Sequence, residues 1–156
     1  MGFRISGLNP EPFTHLFGKG EHYLKQHRAL RISVDSYPGY PDRISLRDIP
    51  AGEKVILINH TYQPADTPYL GSHAVYLWEG CNEQGIYINK IPESIGLRLL
   101  SLRAFDENHL MLQADICEGA AAEMMLKHFF DDPSVSYIHI HNAKQGCYAC
   151  LAERVL

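Results

Sequence analysis

The sequence predicts an α+β fold, with a single curved, mostly antiparallel sheet and a few helices packed on one face. Three features predict it. Short apolar or alternating stretches recur along the chain, separated by clusters of Gly, Pro, Asn and Asp. Two of them, 99–105 and 110–117, flank Asp106, Glu107, Asn108 and His109 as the arms of a hairpin. A single long Ala-rich segment, 119–131, has strong helical character, so helices are few beside strands.

Taken in order, Phe3 to Leu8 alternates apolar and polar side chains as a short edge strand. Asn9 caps a helix start and Pro10 takes its first position. Phe13, Leu16 and Phe17 follow at helical spacing until Gly18 and Gly20 interrupt, and 21–28 forms a second short helix. Arg31 to Val34 is a brief strand, and Tyr37 to Pro41 a turn whose prolines keep the chain extended. Lys54 to Asn59 is the best strand, because the apolar run Val55 to Ile58 implies burial on both faces and a central place. His60 to Ser72 contains Pro64, Pro68 and Gly71, which predicts a structured loop of a length that is usually functional. Strands follow at 73–79 and 86–88, then a short helix at 92–97 and the hairpin. The 119–131 helix buries Ala122, Met125 and Phe129 and stops at Asp132-Pro133; strands 135–141 and 147–154 complete the order.

Residues 1–156 are expected to fold as a single globular domain. Hydrophobic residues at 46% and charged residues at 21% are ordinary values for a soluble protein. Lys plus Arg number 14 against 18 for Asp plus Glu, a net charge of −4, and no basic run is present; nucleic acid and anionic membrane surfaces are therefore not expected partners. No apolar run approaches the roughly 18 residues that span a bilayer, and the first residues lack the basic-then-apolar pattern of a secretory signal. Met1-Gly2 with Ser6 formally fits a myristoylation pattern, but residues 3–8 read better as a strand. Cys81, Cys117, Cys147 and Cys150 are too few and too scattered for a disulfide framework, so a reducing cytoplasm is the expected setting. Neither a cofactor nor an oligomeric state is specified.

The densest chemistry lies in Tyr137 to Cys150. His139 and His141 are two apart on a strand and project from one face, the arrangement strand-borne metal sites use; His73 or His60 would complete such a set. Cys147 and Cys150 have CxxC spacing, but positions three apart on a strand point to opposite faces, and no second CxxC exists. Cys147 alone, after Gly146 and near His139, His141 and Asn142, offers a Cys–His–Asn set adequate for nucleophilic catalysis. Asp66 is either a general base and ligand anchor or a turn-capping carboxylate. Tyr40 and Arg43 form either a forked contact for a carboxylate or phosphate or an ordinary ion pair. Arg103 and Asp106 read most simply as an internal ion pair that holds the hairpin.

Four motifs in order, Tyr37 to Leu46, Gln63 to Tyr69, Leu102 to Asp106 and Tyr137 to Tyr148, resemble a bacterial family of uncharacterised proteins, the domain of unknown function numbered 1203. The resemblance covers nearly the whole chain and implies no known activity, substrate or cofactor. Relatives in that family carry Cys where this chain has Asp42, and in some cases Arg where it has His141. The resemblance therefore implies that a shared feature lies with Arg43, Asn142, Gly146, Cys147 and Tyr148.

The leading expectation is a small domain with a polar pocket that binds or acts on a small anionic molecule. Its walls would be the 60–73 loop, the Tyr40–Arg43 turn and the 139–148 segment. Cys147, His139 and Asp66 are the candidate reactive groups; Tyr40, Arg43, His60, Tyr69, His73, Arg103, Asn142 and Tyr148 are the candidate ligand contacts. Two alternatives stand beside it. One is a non-catalytic structural or interaction domain, whose Pro and Gly residues serve loop shape. The other is a mononuclear metal protein built on His139, His141 and His73.

Overall fold

The computed structural model describes residues 2–155. Its strands are β1 (Gly2–Ser6), β2 (Ala29–Ser33), β3 (Lys54–Gln63), β4 (Gly71–Trp78), β5 (Ile86–Ile88), β6 (Leu99–Phe105), β7 (Met111–Glu118), β8 (Tyr137–Asn142) and β9 (Tyr148–Val155). The helices are short: α1 (Glu21–Gln26), α2 (Glu93–Gly96) and α3 (Ala122–Phe130), with 3-10 turns at Glu11–Leu16 and Gly119–Ala121. None of the described helices is long and apolar enough to cross a membrane.

The strand pairings are antiparallel, as the hairpin signals imply. They form two sheets, however, where the sequence suggested one. A six-stranded sheet runs β5-β1-β9-β8-β6-β7, and a three-stranded sheet runs β2-β3-β4. The reason lies in β3, the central strand of the smaller sheet. Ile56 and Ile58 join a cluster with Phe13, Leu16 and Leu24, whereas Val55 joins Val34 and Ile49. Its continuous apolar run is thus covered on both faces by N-terminal turns and by the 34–53 segment, and this sheet stands as a layer of its own.

The larger sheet has one apolar face. Phe3, Ile5, Leu100, Leu102, Ile138, Ile140 and Ala152 cluster there with Leu126, Phe129 and Phe130 of α3. Strand alternation sends the intervening residues to the opposite face, where Arg103 pairs in register with His139 and Ser101 with His141.

Two local departures from the expected elements shape that face. Residues 60–63 and 71–72 are strand, with His60 opposite His73 and Thr61 opposite Ser72, so the connecting loop shrinks to 64–70. Their polar side chains read as loop in sequence because this end of the hairpin is half exposed. A register shift between Ile140 and His141 puts Tyr148 opposite His141, although Cys150 faces Ile140. This bulge turns Tyr148 onto the histidine face while Ala149 and Cys150 stay in the core.

Candidate functional site

The two sheets meet over a layer of imidazole and phenol rings. Tyr62 of β3 lies between His73 and Tyr148, stacked on the first at 4.7 Å and the second at 5.4 Å between centroids. His141 meets the edges of Tyr62 at 5.0 Å and of His73 at 5.4 Å. His139 lies 5.2 Å from Tyr148 and 5.1 Å from Phe105. The period-two alternation of β8 places both histidines on this side, 6.3 Å apart.

Their hydrogen bonds set the tautomers. Tyr148 N donates to His73 Nδ1 at 3.2 Å, so the proton of His73 sits on Nε2. His141 Nδ1 lies 3.0 Å from the Gly146 carbonyl oxygen and donates to it, which leaves Nε2 as a bare acceptor. That Nε2 and His139 Nδ1 are buried without a hydrogen-bond partner among the described residues. Burial lowers the pKa of His139 to about 4 and that of His141 to about 3, with the positive charge of Arg103 adding to both. Burial, Arg103 and Arg43 lower His73 in turn. At neutral pH the cluster is uncharged, each ring offering one donor and one acceptor.

Arg103 is the cation of this face. Its Nε donates to Ser101 Oγ at 3.2 Å, and among the described residues it forms no ion pair. The expected pairing with Asp106 is not made. Asp106 Oδ1 instead accepts from the backbone N–H groups of Asn108 and Leu110, capping the hairpin turn. Arg103 and Asp106 are three apart along an extended chain, so they leave on opposite faces.

Behind Tyr148 lies a second constellation. Arg43, 2% exposed, donates from Nε to Tyr148 O at 2.8 Å, from Nη1 to Pro41 O at 2.7 Å and from Nη2 to Cys147 Sγ at 3.0 Å. Asn142 Nδ2 approaches the same sulfur at 3.8 Å, and its own Oδ1 is buried and unpartnered. The 143–147 turn closes through Gly146 N donating to Asn142 O at 2.8 Å, with Gly146 at φ +75°, a conformation natural to glycine. No histidine nitrogen among the described residues hydrogen-bonds the sulfur. The cysteine's partner is a guanidinium rather than an imidazole, so the Cys–His–Asn set is not assembled. Cys150 sits fully buried in the core, where burial pushes its thiol up; the bulge beside Tyr148 interrupts the alternation by which the sequence separates the CxxC pair.

Of the sequence candidates, His73, Arg103, His139, Asn142, Cys147, Tyr148 and Arg43 form this continuous region. His60 borders it, 6.4 Å from Tyr148 and lowered by burial. Asp66 does not join: it is exposed, and the backbone turn there is closed by Thr67 N on Ala65 O rather than by its carboxylate. Tyr69 is exposed against the edge of Phe105 at 5.7 Å. Tyr40 does not share a contact with Arg43 as a fork; its hydroxyl donates to Asp35 Oδ1 at 2.9 Å. Two members were not anticipated, Tyr62 and Ser101. Placing Tyr62 on a strand, two residues after His60, was the available signal.

Among the described residues no group of three or more His, Cys, Asp or Glu side chains converges as metal ligands. His73 is engaged at Nδ1 by Tyr148 N, so in the His139–His141–His73 reading its Nε2 is the nitrogen left for a metal. A cleft of about 410 Å³ opens beside Asn142, lined also by Leu97, Leu99, Glu118 and Lys144.

Comparison with known proteins finds one family profile, described as a protein of unknown function (DUF1203), which matches residues 39–154. No curated protein and no solved structure matches.

Proposed function

The chain belongs to the DUF1203 family, and from that premise we propose that it binds a small anion carrying a hydrogen-bond donor, at the face between its two sheets. The observation that carries the reading is the company of Arg103: a cation without an ion pair among the described residues, beside three neutral histidines. Such a site supplies charge for the anion and leaves His141 Nε2 and His139 Nδ1 for its polar atoms. Tyr62 and Tyr148 form apolar walls that exclude competing water. A monoprotonated oxyanion or a small hydroxy acid has the matching chemistry, since its hydroxyl can donate to the bare His141 nitrogen. The reading treats the chain as one domain, because β1 and β9, from opposite ends of the sequence, pair with each other. A reducing cytoplasm suits its four free cysteines.

Titration of the protein with phosphate, sulfate and small hydroxy acids, followed by ring 15N shifts of the histidines, tests this. Saturable shifts of His139 and His141 that vanish in Arg103→Gln are expected. Shifts that are absent, or that persist in Arg103→Gln, overturn it.

One observation favours a structural reading instead. Arg43 and His73 both fasten to the Tyr148 peptide, one on its carbonyl and one on its N–H, and so join the smaller sheet to β9. On that reading Arg43→Met loosens the sheets while no anion binds.

A further inference from the structure

We propose that Cys147 is a peroxide-reactive thiolate, with Arg43 as its charge partner and Asn142 as the contact for the incoming oxygen. The proposal concerns a different group from the anion site and stands or falls without it.

Charge balance comes first. A buried guanidinium requires a counter-charge, and the acceptors of Arg43 are the carbonyls of Tyr148 and Pro41 and the sulfur of Cys147. The sulfur is the one member of that set that can carry a negative charge. The nearby Asp42 is fully engaged elsewhere. Its carboxylate accepts from the backbone of Ile44, Ser45 and Trp78 and from the Ser45 hydroxyl, and it makes no hydrogen bond to Arg43. The N···S separation of 3.0 Å is short, as a charge-assisted contact is. Cationic neighbours of this kind mark reactive cysteines.

A second observation points to a ligand. Asn142 is 4% exposed, holds Nδ2 toward the sulfur, and has a buried Oδ1 with no partner. It also lines the 410 Å³ cleft. A small molecule that brings an O–H to Asn142 satisfies that orphaned oxygen.

The class of electrophile follows from what the site lacks. Acyl transfer by cysteine draws on a histidine as proton carrier, and among the described residues no histidine nitrogen hydrogen-bonds this sulfur, His141 donating instead to the Gly146 carbonyl. A hydroperoxide needs no such carrier. The thiolate supplies an electron pair to the nearer peroxide oxygen; the S–O bond forms and the O–O bond breaks. Sulfur is oxidised by two electrons to a sulfenate and its conjugate sulfenic acid, while the departing oxygen leaves as hydroxide or alkoxide and takes the proton. Cys150 is fully buried and burial pushes its thiol up, so it is a poor resolving partner and the sulfenic acid persists until a small thiol caps it. Oxidation also changes the group that meets Arg43 Nη2, which couples the state of the sulfur to the junction of the two sheets.

The test uses the reduced full chain, hydrogen peroxide in slight excess, and dimedone as a sulfenic-acid trap, with peptide mass spectrometry of all four cysteines. Cys147 is expected to label first, at least about tenfold faster than Cys81 or Cys117. Arg43→Lys is expected to retain part of the rate, and Asn142→Asp to slow it by placing a carboxylate beside the sulfur. If either variant fails to fold, the ranking of cysteines in the unaltered chain decides. Equal labelling of Cys81, Cys117 and Cys147, or a Cys147 that does not label, overturns the proposal, as does a rate unchanged in both folded variants.

Discussion

The guanidinium of Arg43 reaches the sulfur of Cys147 across 104 positions of sequence, at 3.0 Å, and ties the segment before β3 to the start of β9. Arg43→Met takes a donor from that sulfur and from the carbonyls of Tyr148 and Pro41. A loss of about 3 kcal/mol is expected from buried acceptors left without donors. Urea denaturation reads it as a lower midpoint at unchanged slope. Arg43→Lys should recover part of the loss, and a midpoint unmoved in Arg43→Met would contradict the role.

Arg103 should behave in the opposite way. It makes one hydrogen bond, to Ser101, and no ion pair among the described residues. Arg103→Gln is expected to change stability by less than about 0.5 kcal/mol, as half-exposed substitutions usually do. Small-anion binding should nevertheless be lost. A large drop in thermal midpoint would assign Arg103 to structure rather than to a ligand.

Stability should fall on the acid side. His139 and His141 have folded values of about 4 and about 3 against an ordinary 6.5, lowered chiefly by burial. Between those limits the unfolded chain holds protons that the folded chain refuses. The contribution is therefore complete above pH 6.5 and shrinks as pH drops toward the folded values. Arg103 and His109 face His139; Arg103, His139, His73 and the Gly146 carbonyl face His141. At about 1.4 kcal/mol per unit, the pair accounts for several kcal/mol. Thermal midpoints across this window should decline less steeply in His139→Gln/His141→Asn than in the unaltered chain. Parallel slopes would show that other groups govern the decline.

Tyr62 contributes through its ring rather than its hydroxyl. It is half-buried, stacked on His73 and Tyr148 and meeting His141 edge-on. Tyr62→Ala should cost about 2 kcal/mol, below the range for fully buried aromatics. Tyr62→Phe should stay within about 0.5 kcal/mol. Denaturant midpoints of the two variants check this, and equal losses would shift the weight to the hydroxyl.

Much of the candidate site was legible one strand at a time. Alternation along β8 put His139 and His141 on one face and Ile138 and Ile140 in the core. Tyr62 was hidden because a polar, half-exposed strand end resembles a loop. Asp66 misled for the related reason that an exposed turn carboxylate looks like an anchored one. Arg103 and Asp106 suggested a pair by proximity in sequence, but an extended chain sends them to opposite faces.

The sequence by itself determined what depends on near neighbours: antiparallel strands, few helices, the family, and which side chains share a face of β8. Tertiary structure alone decided that there are two sheets, that a bulge turns Tyr148 toward the histidines, and that Arg43 rather than a histidine meets Cys147. The physical reason is range. Periodicity reports the two sides of one strand, whereas the partner of a buried cation is chosen where segments a hundred residues apart lose their water together.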